Sequence, residues 1–151
     1  MPEIESILEN LRNKLKKVVE KNKAEGLLFS GGLDSAILAF LSPQIRLFTV
    51  TFESRGDDLK YARNIAKFLN LELYHRSITE KEAIDIIPVV IKALKSFDPA
   101  IPNDITVYFG LEFARKMGLK KIMTGDGSDE LFAGYSYMHS IGRLDEYIKK
   151  I

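Results

Sequence analysis

Gly26-Leu27-Leu28-Phe29-Ser30-Gly31-Gly32-Leu33-Asp34-Ser35-Ala36-Ile37-Leu38-Ala39-Phe40-Leu41 is a short apolar run, a break at two glycines, and a second apolar run that stops before Pro43. The first run, Gly26 to Ser30, reads as a buried strand. The second, Leu33 to Leu41, reads as a helix, because the residue before a proline avoids the helical region. The decisive feature is the join. A strand that passes straight into a helix through Ser30-Gly31-Gly32 leaves a tight, Cβ-poor turn at the carboxyl end of the strand and at the amino end of the helix.

The same alternation continues on both sides. Upstream, Ile4, Ile7, Leu8, Leu11, Leu15, Val18 and Val19 recur at three- and four-residue spacing, the stripe of an amphipathic helix over about residues 1–23. Glu3 and Glu5 near its start and Lys17, Lys21 and Lys23 near its end suit the helix dipole. Downstream, Ile45 to Phe52 is β-branched and aromatic and reads as the second strand, Asp57 to Leu69 as a helix, and Leu71 to Ile78 as the third strand. Thr79-Glu80-Lys81-Glu82 matches a capping box ahead of Ala83, Ile86, Ile87, Val90 and Leu94. Pro88 inside that pattern predicts a kink or a broken turn. Asp98 to Asn103, with two prolines, reads as a loop, and Ile105 to Lys116 as a helix ended by Gly118. Lys121 to Thr124 is the fourth strand, Gly125 to Asp129 a loop, and helical pattern resumes to Tyr137, with a last short helix over Leu144 to Ile151. Strands alternating with helices predict a three-layer, Rossmann-like α/β fold, a parallel sheet with helices on both faces. Ligands in such sheets lie beyond the carboxyl ends of the strands, where the strand order reverses.

The 151 residues suit one domain of roughly 100–200 residues. Hydrophobic residues are 46% and charged residues 28%, an ordinary globular balance that excludes a disordered chain. Net charge is +1, so no bulk electrostatic attraction to nucleic acid is expected. There is no cysteine, which excludes disulfides, thiolate zinc sites and thiol nucleophiles within the sequence. Absence of an 18-residue apolar run and of a secretory leader pattern at Met1-Pro2-Glu3 makes a cytoplasmic location the expectation.

Two loops carry the chemistry. Ser30-Gly31-Gly32-Leu33-Asp34-Ser35 opens a helix, where free N–H groups and the positive dipole end suit phosphate. It has no Gly-Lys-Ser/Thr and is not a Walker A loop; nor is it Gly-x-Gly-x-x-Gly. An aspartate beside phosphate repels it unless a cation bridges the two, and Mg²⁺ held by Asp34 would supply that bridge. Gly-Gly before a helix is ordinary capping when taken alone; the whole six-residue string favours phosphate. The second loop, Gly125-Asp126-Gly127-Ser128-Asp129-Glu130, packs three carboxylates at a strand end. If strands one and four are neighbours, Asp129 can share a metal with Asp34, leaving Asp126 as a base or an orienting group. The plainer alternative has Ser128 cap a helix whose dipole Asp129 and Glu130 answer.

Ser30-Gly-Gly-Leu-Asp-Ser35 followed by Gly125-Asp-Gly-Ser-Asp-Glu-Leu-Phe-Ala-Gly-Tyr135 resembles the synthetase domain of the asparagine synthetases, within the wider ATP pyrophosphatases. Asp58-Leu59, Ala62, Ile65-Ala66 and Leu69 are also similar to that family's helix after strand two, and the likeness covers roughly Gly26 to Tyr137. The resemblance implies an adenine nucleotide alpha hydrolase-like sheet of order 3-2-1-4 in a shortened, stand-alone form. It implies cleavage of ATP to AMP and pyrophosphate, adenylation of an aspartate-like carboxylate, and attack by ammonia to make an amide. Carried over, Ser30, Gly31, Gly32 and Ser35 would hold pyrophosphate, and Asp34 and Asp129 would bind Mg²⁺. Leu28, Val50, Thr124 and Gly125 would line the nucleotide. Asp126 stands where the family usually has Glu, the acceptor of ammonia's proton, and is one methylene shorter. The family's glutamine-hydrolysing domain and the helical region that supplies a catalytic Lys have no counterpart in these residues. The nitrogen source is then free ammonia or a partner protein.

His75 and His139 lack a second ligand at metal spacing and read as satisfied or surface histidines. Tyr135, Tyr137 and Met138 read as packing residues, the lysines of the first helix as a solvated face, and Arg55-Gly56-Asp57-Asp58 as a turn that could also approach the nucleotide. Leu144, Ile148 and Ile151 could cover an apolar edge or pair two copies, so a homodimer is the expectation. Two alternatives to a ligase stay open: a nucleotide-binding module without turnover, acting with a partner, and an RNA-modifying ATP pyrophosphatase.

Overall fold

The computed structural model describes residues 2–53, 58–97 and 99–140. Four strands form one parallel sheet in the order β3-β2-β1-β4: β1 is Gly26–Leu28, β2 Arg46–Phe52, β3 Leu73–Ile78 and β4 Ile122–Met123. This is the expected order. Helices α1 (Pro2–Lys21), α2 (Leu33–Leu41), α3 (Asp58–Phe68), α4 (Glu80–Leu94), α5 (Ile101–Lys116) and the short α6 (Ser128–Phe132) connect and cover it, and a 3₁₀ turn spans Ser136–Ser140. The register sets Leu27 opposite Leu47, Gly26 opposite Ile122 and Thr49 opposite His75. The ladder extends past the formal strand ends, since the Phe29 N–H donates to the Phe48 carbonyl at 2.8 Å and the Glu25 N–H to the Lys121 carbonyl at 2.9 Å.

Alternation along the strands builds two cores. Leu27, Phe29 and Leu47 point to one face and pack with Ala39, Ala62 and Ala66, the small residues of α2 and α3. Phe48 points to the other, between Tyr74 (rings stacked, centroids 5.3 Å apart) and Phe113 (edge-on, 5.5 Å), above Ala114 and Leu119. Burying Leu27, Leu47 and Phe48 fully contributes about 1.5–3 kcal/mol each. A third cluster, Ile78, Val90, Ile101, Ile105 and Phe109, joins α4 to α5. With both faces covered, strand one is apolar on both sides, and strand two sends apolar side chains to both, Leu47 to one and Phe48 and Val50 to the other.

Local chemistry explains the element ends. Thr79 Oγ1 accepts the Glu82 N–H at 3.1 Å and the Thr79 N–H donates to Glu82 Oε2 at 2.8 Å, the expected capping box. Gly118, at φ +83°, ends α5: its N–H donates to the Arg115 carbonyl at 2.9 Å and the Leu119 N–H to Ala114 at 3.1 Å, a Schellman closure. Three expectations need correction. At Pro88, a position exposed to solvent, α4 is not broken: the helix continues through it. α5 starts at Ile101 rather than Ile105, because Pro102 falls in the first turn, where a missing N–H costs nothing. Helix does not continue to Tyr137: it stops at Phe132, where Ala133 turns left-handed at φ 55°. The α1 stripe is only half used, with Val19 buried while Ile4, Ile7, Leu8 and Val18 stay exposed. The expected helix over Leu144–Ile151, the pairing role of its apolar residues and the Arg55–Asp57 part of the turn lie outside the described residues. Among the described residues no helix is long and apolar enough to cross a membrane.

Candidate active site

The strand order reverses at β1, whose two neighbours are reached by crossovers on opposite sides. A cleft of about 940 Å³ opens there, beyond the carboxyl ends of the strands. Leu28, Ser30, Gly32, Asp34, Ser35, Val50, Thr124, Gly125, Asp126 and Asp129 all line it. Gly31 does not; it shapes the turn from behind. At φ +80°, with an ideal Cβ only 2.8 Å from the Ala62 nitrogen, Gly31 lets the loop lie directly on α3.

The first loop closes on itself. The Gly32 N–H donates to Ser30 Oγ at 3.1 Å, Ser30 Oγ and Ser35 Oγ are 3.2 Å apart, and Ser35 Oγ donates to the Gly32 carbonyl at 3.1 Å. Both hydroxyls are therefore part of the loop's own bonding. No side chain caps α2, whose N-cap is Gly32, so the first-turn amides are left for an anion. Thr49 Oγ1 donates to the buried Phe29 carbonyl at 2.6 Å and fixes the strand end that carries the loop.

The second loop meets the first. A Cβ on Gly125 would lie 3.4 Å from Asp34 Cβ and 3.5 Å from the Ser35 nitrogen. Asp34 and Asp129 are half-buried, whereas Asp126 is exposed at the mouth. Ser128 does not cap α6; Gly127, left-handed at φ 88°, takes that place without a side-chain bond. Gly134 leaves room for the Asp129 carboxylate, since a Cβ there would stand 1.8 Å from Asp129 Oδ1. Tyr135 donates to Glu130 Oε1 at 2.8 Å and stacks on Tyr137, with ring centroids 5.5 Å apart. The Glu130 hydrogen bond pushes the Tyr135 phenol up to about 12, so it stays a donor at neutral pH.

Sequence reasoning missed one wall. Asn103, Thr106, Val107 and Gly110 form a single stripe of α5 that faces the cleft. Their spacing was visible, but small and polar residues on one helix face do not by themselves announce a ligand. Gly110 keeps that wall thin: a Cβ would come within 2.8 Å of Leu28 Cδ2 and push that side chain aside. His75 also lines the cleft, as a satisfied histidine: its Nε2 pairs with Thr51 Oγ1 at 2.9 Å. Burial, then the charge of Arg63, lowers its pKa, favouring the neutral ring. Met138 is buried, as expected for packing, and His139 is exposed.

The cleft is electrostatically one-sided. Asp34, Glu53, Asp126, Asp129 and Glu130 line it, and no Lys or Arg does so among the described residues. Nor do the described residues contain a group of three or more His, Cys, Asp or Glu placed to hold a metal by themselves. Two carboxylates with open surroundings fit Mg²⁺, which keeps waters and takes its other ligands from phosphate oxygens.

A parallel 3-2-1-4 sheet with a glycine-serine loop at its switch point and an acidic loop beside it defines an α/β domain of the adenine nucleotide alpha hydrolase type. The fold is similar to that of the NH₃-dependent NAD synthetase from Campylobacter jejuni, with a TM-score of 0.51 and 19% identity over 87% of this chain and 60% of that one. Residues 6–150 match the asparagine synthase family, and the chain belongs to it. It is 36% identical over 146 residues to a putative glutamine-hydrolysing asparagine synthetase of Methanocaldococcus jannaschii, covering 93% of this chain and 27% of the relative. It is 29% identical to asparagine synthetase B of Escherichia coli, covering 90% and 28% respectively. The chain thus spans about a quarter of the length of these curated relatives.

Proposed function

We propose that this chain is the nucleotide-binding part of an ATP-dependent, AMP-forming amide ligase, acting on a small acid of the aspartate type. The observation that carries the reading is the meeting of the two loops, with Gly125 against Asp34 and Ser35. The first-turn amides of α2 hold the pyrophosphate end of ATP, with Ser30, Gly32 and Ser35 turning to it from the loop's own hydrogen bonds, and Gly31 shapes the turn. Leu28, Val50, Thr124 and Gly125 line the nucleoside. Asp34 and Asp129 hold Mg²⁺, which when bound offsets phosphate charge and steadies the leaving group. The substrate carboxylate attacks the α-phosphorus, the bond to the bridging oxygen breaks, and pyrophosphate leaves. Ammonia then attacks the acyl carbon, AMP departs, and the proton shed by nitrogen passes to Asp126.

The acidic lining supports a second reading, a domain that binds nucleotide without turning it over unless a partner supplies positive charge. The same lining argues against docking of RNA. Mass spectrometry of Mg-ATP incubated with the protein, with and without aspartate and ammonium, separates the readings. AMP and pyrophosphate formed only with the acid support the ligase. Unchanged ATP with saturable binding supports the module, and neither binding nor cleavage refutes both.

A further inference from the structure

Arg76 stands among apolar and aromatic residues, on the same face of the sheet as Phe48 and Val50. Its register partner is Val50, and Tyr74 and Ile78 flank it on the same side of β3. Its guanidinium lies 4.6 Å from the centroid of the Phe109 ring. One nitrogen donates to Glu112 Oε2 at 2.7 Å and another to Glu82 Oε1 at 3.1 Å. The remaining oxygens are also engaged: Glu82 Oε2 accepts from Thr79, and Glu112 Oε1 is held by Lys116 at 2.9 Å. One side chain thus ties β3, the first turn of α4 and the middle of α5. Burial works against the Arg76 charge, but the Glu112 and Glu82 carboxylates overcome it and raise its pKa.

The tie sits next to the cleft wall in sequence and in space. Phe109, under the guanidinium, is followed by Gly110, which packs flush against Leu28. Successive helical residues are about 100° apart, so these two neighbours fix the rotation of α5 from two directions. The cleft stripe of Asn103, Thr106, Val107 and Gly110 turns with the same helix.

We infer that Arg76 is a positioning residue, which sets the rotation of α5 and through it the wall of the nucleotide cleft. The inference rests on the nucleotide reading given above. Without the guanidinium, two carboxylates on different helices face one vacated space and repel, prising α4 from α5. A lysine restores the charge but not the planar fork that reaches both.

The test uses Arg76→Gln, Arg76→Lys, and a triple variant combining Arg76→Gln with Glu82→Gln and Glu112→Gln. Glutamine at position 82 still satisfies the capping box. Mg-ATP affinity is measured by calorimetry, thermal unfolding by calorimetric scan, and amide hydrogen exchange across Ile101–Lys116 by mass spectrometry. Arg76→Gln is expected to weaken Mg-ATP roughly ten- to a hundredfold and to speed exchange in α5. Arg76→Lys falls between, and the triple variant recovers most of both losses because the repulsion is gone. A purely structural role lowers the unfolding temperature without changing the affinity of the folded protein. Wild-type affinity and exchange in folded Arg76→Gln overturn the inference, as does a triple variant no better than the single one. If Arg76→Gln does not fold, Arg76→Lys and the triple variant decide by the same criteria. If the wild-type protein binds no Mg-ATP, the nucleotide reading falls. The exchange data then judge the positioning of α5 alone: faster exchange reversed in the triple variant supports it, and unchanged exchange overturns it.

Discussion

Gly134→Ala is a small change with a sharply local consequence. The added Cβ would stand 1.8 Å from Asp129 Oδ1, 2.8 Å from its Cγ and 3.1 Å from its Cα. Carbon and oxygen without a bond between them approach to roughly 3.3 Å, so the carboxylate must retreat by about 1.5 Å. Mg²⁺ binds carboxylate oxygen at roughly 2.0–2.1 Å and tolerates little distortion, so a retreat of that size removes Asp129 as a direct ligand. Losses of this kind cost roughly 10- to 100-fold in metal affinity, about 1.4–2.7 kcal/mol. Stability changes less. Gly134 is not left-handed and is exposed, so the alanine shifts the folding free energy by under about 1 kcal/mol. The assay is a Mg²⁺ titration of ATP binding by calorimetry, run beside thermal unfolding. The expected result is a Mg²⁺ midpoint raised at least tenfold at a nearly unchanged unfolding temperature. Gly118→Ala is the control: at φ +83°, with nothing within 4 Å of its Cβ, it strains the α5 terminus and lowers stability without touching Mg²⁺ dependence. An unchanged Mg²⁺ midpoint in Gly134→Ala refutes the assignment of Asp129 to the metal.

Three further predictions follow from the same geometry. Gly31→Ala meets both a left-handed φ and the Ala62 backbone, so it lowers stability by roughly 2–3 kcal/mol or more and abolishes nucleotide binding; normal denaturant unfolding and binding contradict this. Asp126→Asn leaves acid-dependent exchange of pyrophosphate into ATP intact while amide formation falls roughly 10²–10⁴-fold; equal losses in the two assays remove its role as proton acceptor. Acid stability carries the third. Lys116, then Arg76, hold the Glu112 carboxyl below its ordinary 4.5, so its contribution is present above that value and is lost as pH falls through the lower folded one. Unfolding temperature followed from pH 6 downward is therefore expected to fall less steeply in Glu112→Gln than in the wild type, and parallel curves exclude the linkage.

What the sequence made legible and what it hid divide along a physical line. The two loops were legible because their chemistry is local. Glycines that permit φ +80° and close approach, hydroxyls and clustered carboxylates lie within six residues of one another at each loop. The capping box at Thr79–Glu82 and the Gly118 stop were legible for the same reason. The start of α5 is hidden because two prolines between Asp98 and Asn103 read as a loop, although Pro102 in a first turn forfeits no hydrogen bond. The exposed half of the α1 stripe shows that helical periodicity reports a face, not what covers it.

The α5 wall and the Arg76 tie were hidden for a deeper reason. Nothing near Arg76 in the sequence says that Glu112, 36 positions away, accepts its hydrogen bond, or that Phe109 lies beneath it. Those contacts exist only because α5 crosses back over the sheet to deliver β4 beside β1. The same crossover brings Gly125 against Asp34. One topological event therefore does two things: it joins the halves of the cleft, and it lays α5 along the cleft as the piece joining them. A residue that fixes α5 acts on a wall whose polar groups, Asn103 and Thr106, carry no charge, whereas the loops carry the acids. Substitutions at Arg76 should then alter how tightly the nucleotide sits, and substitutions at Asp34 or Asp129 how strongly it depends on Mg²⁺. That separation between fit and metal dependence is what the two-sided construction of this cleft entails.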